Sequence, residues 1–215
     1  MRGLRIGLLG GSFNPAHDGH RHISLVALER LRLDQVWWLV SPQNPLKPEQ
    51  GMAPFSERLN NARNIARHPR IRVTDIENRL GTRYTAQTVK RLQQRYPSIR
   101  FVWLMGADNL LQIPRWRSWQ AIFHALPIAI LDRGPYSNFY RAMAGQAAQK
   151  FKHFRVPQRR AHRLADMDAP AWVYLRDMKQ HPASATRIRE SALAKSSAGP
   201  ARNTNAARPT SGSRP

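Results

Sequence analysis

Two histidines, His17 and His20, stand three residues apart in a short stretch rich in glycine and proline, GGSFNPAHDGH. The stretch follows the apolar run LRIGLL, so the chain leaves a predicted strand through glycine and enters a predicted helix. Backbone N–H groups at a helix start attract anions, and glycine lets a ligand approach the backbone closely. The pattern therefore indicates that Gly10, Gly11 and Ser12 form a phosphate-binding turn. The two imidazoles can face one pocket at the mouth of the helix.

The same residues allow other interpretations. An isolated H-x-x-H pair is often just two surface histidines beside a Gly-Pro turn, since short motifs produce many false matches. With Asp18 and His22 nearby, the segment also offers nitrogen and oxygen ligands for zinc, although no second ligand cluster is evident in the sequence. The turn has neither the Gly-Lys-Ser/Thr ending of a nucleotide-binding P-loop nor the G-x-G-x-x-G pattern of dinucleotide-binding folds.

The elements that position this turn follow an alternating pattern. Short apolar runs rich in branched and aromatic residues predict six strands, at residues 4–9, 36–41, 71–76, 101–105, 128–131 and 172–175. Stretches of helical periodicity between and after them predict helices near residues 19–32, 54–67, 85–95, 117–125, 137–151 and 184–194. This alternation is typical of an α/β fold. We expect a Rossmann-like, doubly wound parallel sheet with helices on both faces.

The loop after the second predicted strand is stiffened by Pro42, Pro45 and Pro48. It leaves the carboxyl end of that strand, which is where open parallel sheets bind their ligands. We therefore expect this loop to contact a substrate.

Composition limits the class of protein. The 215 residues are 41% hydrophobic, which suits one main domain, and no run of eighteen apolar residues suggests a membrane helix. The chain has no cysteine, which excludes disulfides and thiolate metal sites and suits a cytoplasmic location. Residues 195–215 contain four Lys or Arg, no acid and almost no bulky apolar side chain. We expect a folded domain over residues 1–194 and a basic, disordered tail over residues 195–215.

Three stretches together resemble one enzyme family. GGSFNPAHDGH is similar to the H-x-G-H signature of the adenylyltransferase superfamily, in the form used by bacterial nicotinate-nucleotide adenylyltransferases. MGADNLLQIPRW, residues 105–116, resembles that family's G-A-D segment with its downstream tryptophan. SATRIRE, residues 184–190, resembles its C-terminal S-[SA]-T-x-I-R motif, although Ala183 stands where the family usually has isoleucine.

The resemblance implies transfer of AMP from ATP to nicotinic acid mononucleotide, with Mg²⁺ bound to the triphosphate. It implies three catalytic residues, His17, His20 and Arg189. The ATP-binding residues that it implies are Gly10, Gly11, Ser12, Phe13, His17, His20, Gly106, Asp108, Ser184, Thr186 and Arg189. Those implied for the mononucleotide are Asn44, Lys47, Tyr84, Thr85, Trp116 and Arg133. No metal ligand is implied on the protein.

Several of these residues also have an ordinary structural interpretation. Ser184 and Asp108 are typical helix N-caps, and Lys47 or Arg133 can be a solvated surface charge. Trp119, in contrast, has the spacing of a core residue on a helix.

Two alternative functions remain open at this point. A pantetheine-phosphate adenylyltransferase would share the fold, but its signature has threonine in place of the first histidine, so Asn14 and His17 favour the nicotinate enzyme. The net charge of +22, and six Lys or Arg without an acid in residues 150–163, would also suit a nucleic-acid-binding protein. A solvated basic face is the favoured explanation of that segment, because the sequence shows no recognisable RNA-binding module. We expect no specific nucleic-acid partner and no membrane partner.

Overall fold

A computed structural model describes residues 3–43, 50–132 and 139–176 of the chain. These residues form a seven-stranded sheet in which every neighbouring pair of strands is parallel. The strands are β1 Arg5–Gly11, β2 Gln35–Val40, β3 Ile71–Thr74, β4 Arg100–Gly106, β5 Ile128–Leu131, β6 Arg155–Val156 and β7 Trp172–Leu175. Their spatial order is β3-β2-β1-β4-β5-β7-β6.

Eight α-helices connect these strands within the described ranges. They are α1 Asp18–Arg30, α2 Phe55–Ala66, α3 Ile76–Arg79, α4 Thr85–Arg95, α5 Ala107–Gln112, α6 Trp119–Ala125, α7 Phe139–Ala144 and α8 Gln146–Lys150. Short 3-10 helices span Ile113–Arg115, Lys152–Phe154 and Gln158–Asp166. None of the helices in these ranges is long and apolar enough to cross a lipid bilayer.

The core lies in two layers, one on each face of the sheet. Alternation along β4 shows the division, because Phe101 and Trp103 point to one layer and Val102 and Leu104 to the other. Helices α1 and α2 cover the layer that contains Val102. Helices α4 to α8 cover the layer that contains Trp103. The predicted doubly wound parallel sheet with helices on both faces is therefore confirmed.

The strand order places the site. The chain builds β1, β2 and β3 toward one edge of the sheet and then crosses β1 to build β4, β5 and β7 toward the other edge. The order thus reverses between β1 and β4, where Leu9 pairs with Leu104. In open parallel sheets a ligand-binding crevice forms outside the carboxyl ends of the strands at such a reversal. Here those ends are the glycines Gly10 and Gly11 of β1 and Gly106 of β4.

Three local predictions were wrong, and helices α3 and α5 and strand β6 were not predicted. Strand 71–76 ends at Thr74, because Ile76 begins α3, which sequence periodicity did not predict. Helix 117–125 begins only at Trp119, since Ser118 adopts a left-handed conformation with φ of 53°. The predicted helix 137–151 is two helices that meet at Gly145, within the described residues from 139 onward. Strand β6 was missed, because two residues are too short to show a pattern.

Three predictions on chain organisation lie outside the described residues. These are the final helix 184–194, the domain boundary at residue 194 and the basic tail 195–215. They remain predictions.

Candidate active site

The glycine-rich turn begins at the end of β1 and fits closely against the core. A Cβ on Gly10 would lie 2.7 Å from Cη2 of the Trp103 ring, so the close approach of strand and indole requires glycine. Phe13 follows with φ of 47°, and its buried ring stacks on Trp38 with centroids 5.0 Å apart. Ser12 is 5% exposed, and its hydroxyl has no hydrogen-bond partner among the described residues. A buried hydroxyl without a partner is suited to bind a ligand.

The two histidines form the cap of α1. His17 is the N-cap residue, and its Nδ1 accepts a hydrogen bond from the backbone N–H of Gly19 at 3.1 Å. The Nδ1 of His20 accepts one from the backbone N–H of His17 at 3.2 Å. This reciprocal arrangement is a capping box in which histidines replace the usual hydroxyl and carboxylate side chains. The ring centroids lie 3.9 Å apart, so the predicted convergence of His17 and His20 is confirmed.

Capping also determines which ring nitrogen carries the proton. A nitrogen that accepts an N–H hydrogen bond is not itself protonated, so the neutral ring carries its proton on the other nitrogen. In both His17 and His20 the accepting atom is Nδ1, and Nε2 is therefore the N–H donor. Helix capping thus prepares two neighbouring neutral donors at the carboxyl edge of the sheet. Neutral N–H donors and helix N-terminal amides are both suited to phosphate oxygens.

The turn is fixed to its surroundings by three side chains that were not among the predicted site residues. Asn14 donates to the carbonyl of Gly51 at 3.0 Å and accepts from the N–H of Ala53 at 3.2 Å. Asn61, on α2, accepts the N–H of Ala16 at 2.8 Å. Arg58, on the same helix, donates to the Ser12 carbonyl at 2.6 Å. Only helical spacing could have indicated that Arg58 is buried, because it lies four residues before Ala62 and therefore on the same helix face.

The end of β4 provides the second wall of the crevice. Gly106 is the N-cap of α5, a helix that the sequence pattern did not predict, and Asp108 lies exposed in the first turn of that helix rather than at its cap. Trp103, which contacts Gly10, also meets Trp116 edge to face with ring centroids 6.5 Å apart. Trp116 is half-buried and therefore still offers ring surface. The structure thus links the phosphate turn to the predicted pyridine-binding tryptophan through one buried indole.

The start of α4 provides the remaining described residues. Tyr84 is the N-cap and Thr85 the first helical residue, and both are partly exposed. The guanidinium carbon of Arg117 lies 4.9 Å from the centroid of the Tyr84 ring. Because Arg117 follows Trp116 directly, this contact brings the two predicted pyridine-binding segments together. Trp119 instead packs in the core against Phe123 and Phe151, as predicted.

A buried carboxyl group lies beneath this helix. Glu77 on α3 is 8% exposed, and Thr88 donates to its Oε1 at 3.3 Å. Thr88 also contacts the hydroxyl of Thr82 at 2.9 Å. Burial raises the pKa of Glu77 from its ordinary value of 4.5 to about 7, and hydrogen bonds from Thr88 and Ser41 oppose the rise. Sequence periodicity gave no signal for this group.

Six predicted site residues lie outside the described residues: Asn44, Lys47, Arg133, Ser184, Thr186 and Arg189. Within the described ranges, no three His, Cys, Asp or Glu side chains cluster in a way that could hold a metal ion.

The chain matches one family model, described as cytidylyltransferase-like, over residues 8–191. Together with the parallel sheet and the capped histidine pair at its reversal point, this match defines the class as cytidylyltransferase-like nucleotidyltransferases. Two solved structures of the nicotinic acid mononucleotide adenylyltransferase of Plasmodium falciparum, complexed with NaAD and with APC, share the fold at TM-scores of 0.66 and 0.64. Each is 16% identical, and each alignment covers 87% of this chain and 83% of the other.

Curated relatives are much more similar in sequence. A Bradyrhizobium protein is 53% identical over 176 residues, which is 82% of this chain and 91% of the relative. Proteins of Parvibaculum lavamentivorans and Gluconobacter oxydans are 51% and 52% identical over 188 residues, covering 87% of this chain and 92% and 95% of theirs. All three are named "probable nicotinate-nucleotide adenylyltransferase". The chain belongs to the nicotinate-nucleotide adenylyltransferase family.

Proposed function

We propose that this chain transfers AMP from ATP to nicotinic acid mononucleotide, forming deamido-NAD and pyrophosphate in the synthesis of NAD. Family membership supports the reaction, and relatives more than 50% identical over more than 80% of the chain support this acceptor. The observation that carries the proposal is the pair of adjacent imidazoles that cap α1 at the point where the strand order reverses. That is where a nucleotide polyphosphate would bind.

The chemistry requires positioning more than base catalysis. A phosphate monoester is largely dianionic at neutral pH, since its second pKa is near 6. Its oxygen can therefore attack the α-phosphorus of ATP directly, while the bond from that phosphorus to the oxygen bridging the β-phosphate breaks. Pyrophosphate leaves with the bonding electron pair. The protein must hold two polyanions in line and stabilise the charge that develops on the leaving group.

The histidine turn is suited to that task. In the proposed mechanism the Nε2–H groups of His17 and His20 donate to the triphosphate as pyrophosphate departs. The buried Ser12 hydroxyl and the backbone beside it contact the same phosphates. Ser184, Thr186 and Arg189 would contribute hydroxyl and guanidinium donors, and Asp108 would accept from a ribose hydroxyl. These assignments continue the sequence prediction.

The acceptor would lie on the other side of the crevice. We assign its pyridine ring to the surface formed by Tyr84, Thr85 and Trp116, which the Tyr84–Arg117 contact brings together. In this arrangement the indole stacks on the ring and the threonine contacts the nicotinate carboxylate. Asn44, Lys47 and Arg133 are assigned to the mononucleotide phosphate.

Nucleotidyltransferases generally use a divalent metal ion with ATP, and we propose that this ion is Mg²⁺. When bound with ATP, Mg²⁺ would supply positive charge that screens the phosphates. The donors of the described turn are N–H and hydroxyl groups, which fit phosphate oxygens, so the triphosphate itself would supply most metal ligands. We also propose a cytoplasmic location, which suits a cysteine-free chain that acts on nucleotides.

The test is an acceptor comparison with purified protein, ATP and Mg²⁺. Nicotinic acid mononucleotide, nicotinamide mononucleotide and phosphopantetheine are supplied in parallel, and products are separated by chromatography. We expect deamido-NAD and pyrophosphate in equal amounts, with the highest kcat/KM for the nicotinate acceptor. Preferential adenylylation of phosphopantetheine, or no adenylylation of any acceptor, would contradict the proposal.

The alternative function, nucleic-acid binding, is tested separately and concerns the basic segment 150–163. Its six Lys and Arg side chains are exposed, which equally suits a solvated face and a weak polyanion contact. We expect oligonucleotide binding, measured with and without residues 195–215, to be weak and to disappear at physiological salt. Tight, sequence-dependent binding at that salt concentration would favour a nucleic-acid function.

A further inference from the structure

One buried cation, Arg58, holds together two segments of the candidate active site. It lies in the first turns of α2 and is 3% exposed. Its Nη1 donates to the carbonyl oxygens of Ser12 at 2.6 Å and Ser41 at 2.8 Å. Its Nη2 donates to the carbonyl of Pro42 at 2.7 Å, and its Nε to that of Ala53 at 2.9 Å. All three guanidinium nitrogens therefore bind backbone oxygens.

These carbonyls belong to separate parts of the chain. Ser12 lies in the phosphate turn, Ser41 and Pro42 follow β2, and Ala53 precedes α2. The last two segments flank in sequence Asn44 and Lys47, two of the three positions assigned to the acceptor phosphate. The side chain of Asn14 bonds Gly51 and Ala53, which both precede α2, and that of Asn61 bonds Ala16. Arg58 is the one side chain in the described ranges shown to bind all three segments at once.

Burial of the Arg58 charge costs free energy of folding, which suggests that the guanidinium does more than fill space. A buried cation loses its hydration, and desolvation lowers the pKa of Arg58. Apolar side chains would fill the same volume without that penalty, and the rest of this helix face uses Leu59 and Ala62. A planar guanidinium can bind several carbonyls in fixed directions, whereas an ammonium group is a single compact point charge. An arginine at this position is therefore better suited to orienting backbone segments than to packing alone.

We propose that Arg58 is a positioning residue for adenylyl transfer, because its guanidinium fixes the phosphate turn relative to the segments that flank the acceptor-binding loop. The proposal rests on the proposed function for the identity of the two substrates. The geometric part, that Arg58 orders the turn, stands independently of which acceptor is used. Loosening this contact should misalign attacking and leaving groups, and misplacement by about 1 Å can reduce a rate about 100-fold.

The experiment compares Arg58→Lys and Arg58→Ala with the parent protein. Arg63→Ala is the matched control, since Arg63 lies exposed on the same helix. All measurements are made at a temperature where circular dichroism shows each variant fully folded. We expect kcat to fall about 10- to 100-fold in both Arg58 variants, with KM for ATP changed less than about threefold. Added guanidinium ion at millimolar concentration should restore part of the kcat of Arg58→Ala and leave Arg63→Ala unchanged.

Hydrogen exchange measured by mass spectrometry gives a readout that does not depend on activity. We expect faster exchange of the amides in residues 11–16 and 50–53 in Arg58→Lys, and parent-like exchange in β4. If Arg58→Ala does not fold, Arg58→Lys still decides the question. A folded Arg58→Lys with parent-like kcat and parent-like exchange in the turn would overturn the proposal. If the parent adenylylates no acceptor while exchange in the turn increases in Arg58→Lys, the ordering of the turn by Arg58 stands and the proposed function fails.

Discussion

Glu77 provides a quantitative prediction, because burial raises its pKa from 4.5 to about 7. One pKa unit corresponds to about 1.4 kcal/mol, so ionised Glu77 costs the folded protein about 3 kcal/mol. Below pH 4.5 the carboxyl is protonated in both states, and the cost is absent. Between pH 4.5 and 7 only the unfolded state releases the proton, so the free energy of unfolding decreases as pH rises. Above pH 7 both states are ionised, and the full cost applies.

The perturbation is Glu77→Gln, which keeps an oxygen that can accept the Thr88 hydroxyl and removes the titrating proton. Urea unfolding at a series of pH values from 5 to 8 measures the free energy of unfolding of parent and variant. We expect the variant to gain about 2–3 kcal/mol relative to the parent between pH 5 and pH 8. Glu29→Gln is the control, since Glu29 is exposed on α1 and water solvates it in both states. A stability difference between Glu77→Gln and parent that does not change with pH would refute the reasoning.

Two further substitutions test packing at opposite ends of the sheet. Gly10→Ala should lower the free energy of unfolding by about 1–3 kcal/mol, because the new Cβ would lie 2.7 Å from the Trp103 ring. It should also raise KM for the acceptor, because a displaced Trp103 ring would shift Trp116, which it contacts. The control for thermal unfolding is Gly11→Ala, whose Cβ would lie 3.4 Å from Phe13, an ordinary contact distance. Equal losses of stability in the two variants would contradict this explanation. Asp166 forms ion pairs with Arg5 at 2.8 Å and Arg100 at 2.6 Å, at the amino ends of β1 and β4. Asp166→Asn removes the negative charge, so it should lower the free energy of unfolding by about 1–2 kcal/mol and leave kcat unchanged. Unchanged urea unfolding in Asp166→Asn would show that these ion pairs contribute nothing.

The fold could be predicted because most strands are apolar runs that the sheet buries on both faces. Strands β5 and β7 and helix α4 begin and end where the sequence predicts. Elements of only about one period were not predicted, as in the two-residue β6 and the four-residue α3, because a single period shows no repeat. The break between α7 and α8 at Gly145 was not predicted, because the apolar periodicity continues on both sides of it.

The site was predictable where chemistry is concentrated in one stretch of sequence, as in the histidine turn. The role of Arg58 was not, because its partner Ser12 lies 46 residues away and only folding brings the two together. Glu77 was missed for the same reason, since Thr88, which donates to its carboxyl group, lies on a later helix. The capping role of the histidines was also missed. Spacing predicts them as ligand-binding residues but gave no sign that they accept backbone N–H groups.

The central claim is that the Nε2–H groups of the capped histidines stabilise the departing polyphosphate, and the turnover of His20→Asn tests it most directly. The asparagine oxygen can still accept the His17 N–H and preserve the cap, whereas the donor at the Nε2 position is lost. The account predicts a folded variant whose kcat for deamido-NAD formation falls about 100-fold or more, similar to the fall in His20→Ala. A folded His20→Asn variant with kcat within twofold of the parent would contradict it.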